Sequence, residues 1–223
     1  MTAAVRMSEI RVPNFMTDGS IMDLADPRAE HIVFAEMANG LSKIARFNGR
    51  YTAIAYSVGQ HCVMGADALF TETGDTTLAG YFLLHDGHEY LTGDISRPMA
   101  ILVGILLGDE LSSKGVTRKC AADAARRAIE AAKAKVDLAI YQAAGIPPLS
   151  QMPMYRRAVA EMDERMLVAE ARVLYGAKAA VPLARNDLPA PKLTGAIKPW
   201  GAMKAEEAFV DRLERYLGIV ARG

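Results

Sequence analysis

The sequence predicts an all-α fold, a bundle of six or more helices with an irregular N-terminal arm laid over its core. Three observations point there. Alanine is abundant, methionine occurs 12 times and only 7% of residues are aromatic, a composition that favours helices over sheets. In several long stretches apolar residues return every three or four positions, the spacing of one helix face. Between those stretches lie Gly- and Pro-containing breaks, and no internal repeat or low-complexity tract appears.

Taken in order, residues 1–30 hold Pro13, Gly19, Pro27 and the turn-like string MTDGS, and form the arm. A helix is expected over His31 to Ile44, where Val33, Met37, Leu41 and Ile44 share a face, and Arg46-Phe47-Asn48-Gly49 breaks it. The pattern resumes over 52–70 with Ala55, Val58, Cys62, Ala66 and Leu69 in one stripe, up to a turn at Gly74. Leu78 to Leu91 reads as a strongly apolar central helix. Residues 99–113, after Pro98, fit either a short buried helix or a flexible excursion. Helices then follow over Lys119 to Ala144, ended by Gly145, Pro147 and Pro148, and over Met154 to Leu174, stopped by Gly176. Four prolines make 180–203 a surface loop, and an amphipathic helix, Ala205 to Leu217, docks Phe209, Leu213 and Leu217 on the body.

The 223 residues, 51% hydrophobic and 23% charged, suit one domain spanning 1–223 and carry no signature of disorder. With 26 basic against 26 acidic residues the formal charge is zero, which argues against a non-specific nucleic-acid binder. The longest apolar run, Met99 to Gly108, is about half the ~20 residues of a membrane-spanning helix, so no membrane is expected as a partner. The start, MTAAVRMSEIRVPNF, lacks the pattern of a secretory signal, and the two cysteines, Cys62 and Cys120, make no disulfide framework. The expected location is the cytoplasm.

The chemistry concentrates in the middle of the chain. Three of the four histidines, His61, His85 and His88, fall between positions 61 and 88, with Asp86, Glu89 and Asp94 beside them. Ionisable groups within an apolar helix are costly unless a partner compensates their burial, and a divalent cation does so for imidazole and carboxylate together. On a continuous helix Glu89 neighbours both His85 and Asp86. His61 lies on an apolar stripe; alone, such a residue is more often a hydrogen-bonded core histidine. A fourth ligand from another helix is expected, and Asp163, on a face with Met166, Leu167, Glu170 and Leu174, is the candidate, with a capping or surface role as its alternative.

His61, the pair His85-Asp86 and the distant Asp163 together resemble the H…HD…D signature of the HD-domain superfamily of metal-dependent phosphohydrolases. Arg46-Phe47-Asn48-Gly49, Tyr56-Ser57-Val58-Gly59-Gln60-His61, the stretch from Leu84 to Ile95 and Ile197-Lys198-Pro199-Trp200 are similar to a small bacterial and phage branch related to the 5′-deoxynucleotidases. The likeness runs from Asp18 almost to the end of the chain. It implies that His61, His85, Asp86 and Asp163 hold one divalent ion, whether Mn, Co, Fe, Ni, Zn or Mg. It further implies that Glu89 orients or deprotonates the attacking water, and that Asp94 assists it or contacts the substrate. Arg46 would grip the phosphate and Phe47 pack near the sugar or base. The sequence departs from these proteins in its long apolar segment after Pro98 and at His88, to which no ligand role falls.

The implied activity is that of a hydrolase of nucleotide phosphate esters, most simply a 5′-nucleotidase acting on deoxynucleoside monophosphates. The rivals are a deoxynucleoside triphosphate triphosphohydrolase and a non-catalytic metal or nucleotide sensor. Arg46 suits phosphate because its planar guanidinium stays charged, although a charge at a helix C-terminus is an equal account of it. Glu89 fits a base, or else a partner that orients a histidine ligand. Asp94 after Gly93 could equally cap a turn. The relatives assemble, so a homo-oligomer is expected, with the helix from Lys119 to Ala144 and the terminal helix as candidate surfaces.

Overall fold

Every residue from Val58 to Leu69 is buried, which makes helix α2 (Val58–Thr73) the axis around which the rest of the chain is arranged. The computed structural model describes residues 11–51, 53–183 and 188–221. The first ten residues of the expected arm and positions 184–187 of the expected loop lie outside these. The helices are α1 (Phe34–Lys43), α2, α3 (Thr76–Leu84), the single turn α4 (Glu89–Thr92), α5 (Arg97–Ser112), α6 (Arg118–Ala143), α7 (Pro153–Tyr175), α8 (Ala177–Ala180) and α9 (Ala202–Leu217). The fold is an all-α bundle, as the composition and periodicity indicate.

The arm is not wholly irregular. Strands β1 (Pro13–Phe15) and β2 (Ile21–Asp23) form a small antiparallel hairpin with Asn14 opposite Met22. The Asp23 carboxylate accepts the amides of Arg11, Val12 and Ala25 and closes its base. Helix α2 also starts later than its apolar stripe suggests. Ser57 caps it by accepting the Gln60 amide, and Ala55 stands before the cap, exposed.

Helices α2 and α3 approach closely because Gly65 has no side chain: a Cβ there would lie 2.1 Å from Cε1 of Phe82. The Phe82 ring fills that space and touches both site histidines, with ring centroids 5.6 Å from His61 and 4.4 Å from His85. Helices α1, α7 and α9 and the end of α6 complete the core with Leu41, Met162, Met166, Phe209, Leu213 and Ile140.

The expected helix over Leu78 to Leu91 is broken, which is a correction. Helix α3 stops at Leu84, residues 85–88 turn, and α4 occupies Glu89–Thr92. In a continuing helix the Phe82 carbonyl would accept the Asp86 amide. Here it takes the His85 amide at 3.3 Å and lies 2.6 Å from His85 Nδ1. Gly87 permits the tight turn, since a Cβ would sit 2.9 Å from the Leu84 carbonyl oxygen and 3.1 Å from Ile140 Cδ1. Side-chain competition for one backbone acceptor thus ends the helix where the sequence pattern would extend it.

Of residues 99–113, ambiguous by sequence, all but Ser113 belong to a full helix, but not a buried one. Helix α5 packs on α6 through Gly104, against Ala122, and Gly108, against the Arg118 backbone. Its other face leaves Met99, Ile101, Leu102, Val103, Ile105 and Leu106 between 37% and 59% exposed. Among the described residues no single helix is long and apolar enough to cross a membrane. The second half of α6 turns inward with Val136, Ala139, Ile140 and Tyr141, and α9 docks through Phe209, Leu213 and Tyr216, with Leu217 partly buried.

Candidate metal centre

The site begins with two imidazoles whose orientation is fixed from behind. His61, wholly buried on α2, places Nδ1 2.6 Å from Oε1 of Glu170, and His85 places Nδ1 2.6 Å from the Phe82 carbonyl. With Nδ1–H donating in each case, the lone pair rests on Nε2. Both Nε2 atoms are buried and make no hydrogen bond. Two orphaned acceptors side by side would each cost about 1–3 kcal/mol without a partner. That cost vanishes if both point at a cation or, without one, if each nitrogen takes up a proton beside Asp163 and Asp86.

Two carboxylates flank these nitrogens. Asp86, in the turn after α3, sets Oδ2 3.2 Å from His85 Nε2 and 3.9 Å from His61 Nε2. Asp163, from the middle of α7, sets Oδ1 3.3 Å from His61 Nε2 and 3.8 Å from His85 Nε2. Bonds of about 2.0–2.2 Å to a four-coordinate ion put ligand atoms roughly 3.3–3.6 Å apart; the 3.2 and 3.3 Å separations are close to that edge, and the 3.8 and 3.9 Å ones are longer. Donor atoms of His61, His85 and Asp86 all lie within 4.8 Å of one another, and this His/Asp group could hold a metal ion. Asp163 therefore faces the imidazoles rather than capping a helix, and two nitrogens with carboxylate oxygens suit a first-row divalent metal.

The charges are strongly coupled. Burial works against ionisation of Asp163, yet the two imidazoles hold its carboxyl well below the usual range, and His85 does the same for Asp86. Conversely, burial disfavours a charged His85, but Asp86 and then Asp163 lift it well above the ordinary histidine value. His61 is raised as well: burial and Arg46 oppose its proton, and Glu170 and Asp163 outweigh them.

Glu170 is the residue that sequence reasoning missed as a participant. It is fully buried, with Oε1 on His61 and Oε2 accepting from Arg46 Nε at 3.0 Å. Burial resists its ionisation, and the charges of Arg46 and His61 overcome that and lower its pKa. A signal was present: Asp163 and Glu170 are seven apart, two acids two turns apart on the same apolar face of α7.

Arg46 reaches this centre because the Arg46 amide donates to the Tyr56 carbonyl and the Val58 amide to Ile44, pinning the segment beside the start of α2. Its Nη1 lies 3.6 Å from Asp86 Oδ2. Phe47 and Asn48 adopt left-handed backbone, φ 57° and 55°, conformations that cost non-glycine residues about 1–3 kcal/mol and concentrate at functional sites. The Phe47 ring packs edge-on against Tyr175, 5.3 Å between centroids, close to the Arg46 guanidinium. Glu89 is buried in α4 beside Asp86, with Oε2 unpartnered. Burial, then the negative charges of Asp86 and Asp94, push its carboxyl up to about 8. Asp94, partly buried beyond Gly93, is raised chiefly by burial.

No protein-family model matches the chain. Over 107 residues it is 35% identical to an uncharacterised protein of Rhodobacter capsulatus, an overlap covering 44% of this chain and 53% of that protein. The chain thus spans about half the length of the curated relative it matches, whose description names no activity.

Replacing Glu170 by Gln keeps an acceptor for His61 but removes the charge that balances Arg46. We expect Mn2+ affinity, measured by isothermal titration calorimetry, to fall about 10–100-fold with little loss of helicity. Because carboxylates hold His61 and His85 above the ordinary histidine range, a cation must displace protons from them. Affinity should therefore rise as the pH is raised above the ordinary histidine value of about 6.5, and heats measured in buffers of different ionisation enthalpy should report proton release.

Proposed function

We propose that the chain is a divalent-metal-dependent phosphohydrolase of the HD-domain kind, acting on nucleotide phosphate esters, most simply deoxynucleoside 5′-monophosphates. The observation that carries this is the meeting of two bare imidazole nitrogens with Asp86 and Asp163, next to an arginine and a strongly basic glutamate. A divalent ion bound there would neutralise phosphoryl charge and lower the pKa of a water from 15.7 towards ~7. Arg46 contributes a fixed cation: Glu170 holds its Nε, and the other guanidinium N–H groups suit a phosphate oxygen. Glu89, buried beside Asp86 with Oε2 unpartnered, accepts the proton of the attacking water in its ionised form. Asp94, within the field of Arg46 and Asp86, adds a carboxylate that either supports Glu89 or meets a sugar hydroxyl.

The test is a panel of deoxynucleoside and ribonucleoside mono- and triphosphates assayed with added Mn2+ or Co2+, following both products. Nucleoside plus phosphate from the monophosphates is expected, whereas triphosphate release would move the activity to the triphosphohydrolase class. Glu89→Gln should lower turnover about 10²–10⁴-fold while cation binding at His61 and His85 persists. Absence of turnover on every nucleotide by a metal-loaded chain would leave a sensor and overturn the proposal.

We propose in addition that the exposed face of α5 seats a second copy of the chain. Its six large apolar side chains exceed what lone surface residues require, and contiguous patches above a few hundred Å2 are uncommon on monomers. Arg97 and Asp109 near its two ends are already paired within the chain, with Glu164 and Arg118, so the apolar side chains would carry the contact. A membrane-docking helix favours a basic polar face instead. Helix α6, a candidate surface together with the terminal helix, meets α5 at Arg118 and Ala122 and elsewhere exposes chiefly alanines and charges. Light scattering should give a dimer, and Leu102→Glu with Leu106→Glu should give a folded monomer. A monomeric unaltered chain, or one that sediments with lipid vesicles, would contradict this.

A further inference from the structure

Beside the centre described above lies a second group of ligand atoms, in which His88 is the member that the resemblance leaves unused. Donor atoms of Asp86, His88 and Glu89 lie within 4.8 Å of one another, and His88 and Glu89 are only 4% and 6% exposed. His88 is oriented from behind much as His61 is. Its Nδ1 lies 3.0 Å from Oδ1 of Asp137 on α6, so Nδ1–H donates there and the lone pair falls on Nε2. Nε2 of His88 is buried without a hydrogen-bond partner, and so is Oε2 of Glu89. Surface acids commonly cluster without meaning; here the group includes an imidazole, is buried, and has two of its polar atoms unsatisfied. A carboxylate–histidine pair that leaves the outer nitrogen bare is the arrangement that orients histidine ligands in metal sites.

We infer that Asp86, His88 and Glu89 form a second divalent-cation position next to the first, with Asp86 shared between the two. This rests on the first position being a cation site, because Asp86 must turn one oxygen to His61 and His85 and the other to His88. A carboxylate has the lone pairs for this, and two-metal hydrolases hold their ions about 3.5–4 Å apart. The break between α3 and α4 is what makes the sharing possible, since it sets Asp86 and His88 in one turn instead of on a regular helix. Glu89 cannot both hold a cation and accept a proton. Filling of the second position is therefore expected to oppose hydrolysis, so that the site acts as a brake at high metal concentration.

The experiment uses the full chain stripped with chelator and titrated with Mn2+ alone, with bound metal counted by elemental analysis and calorimetry. Two equivalents per chain are expected, the weaker one lost in His88→Ala. The electron paramagnetic resonance spectrum of the fully loaded protein should show two coupled Mn2+ ions, and that of His88→Ala a single uncoupled ion. Should His88→Ala unfold, Asp137→Ala, at a partly exposed position, takes its place and is expected to weaken only the second equivalent, about 10–100-fold. One equivalent in the unaltered chain, or a second one uncoupled from the first or indifferent to both variants, would overturn this inference and leave the first site standing. No bound Mn2+ at all would instead remove the first site, and the proposed function with it.

Discussion

Glu170 is the constraint on which the arrangement depends. A carboxylate with no solvent exposure is sustained only by partners on both oxygens, and it has them in His61 and Arg46. The consequences run outward from that one group. His61 keeps its proton on Nδ1 and turns a bare nitrogen to the site. Arg46 is held beside Asp86 despite a strained segment that immediately follows it. Helix α7, which carries Glu170, is thereby locked in a rotation that also presents Asp163 to both imidazoles.

The other constraint is the interruption after Leu84. A helix running on to Leu91 would set Asp86 and His88 about 160° apart around its axis, at about 100° per residue. The turn at 85–88 gathers them on one side instead, under α6 and against Phe82. The close contact of α2 and α3 at Gly65 then brings that turn to His61. Packing and chemistry are thus coupled through a single aromatic ring, which fills the gap between helices and whose backbone carbonyl orients a site histidine.

Much of this was legible in the sequence, for physical reasons that differ between residues. The helices around Leu41, Ala139 and Phe209 declare themselves because burial of one face imposes a period near 3.6. His61, His85 and Asp86 stand out because polar groups inside apolar runs need a compensating partner. The break at His85 was not legible, because it depends on which donor wins the Phe82 carbonyl, and periodicity is blind to that. Glu170 was visible as a member of the Asp163 face, but its role appears only once Arg46, 124 positions away, is seen against it. The exposed apolar side of α5 was hidden for the opposite reason: its composition reads as buried, and only the position of α6 shows which face is covered.

Anomalous X-ray diffraction from crystals grown with Mn2+ tests the central claim most directly. An anomalous peak within about 2.0–2.3 Å of Nε2 of both His61 and His85, with Asp86 and Asp163 completing the contact, is the predicted result. Density in which those nitrogens hydrogen-bond to water or to each other's carboxylates, with manganese bound elsewhere or nowhere, would contradict it.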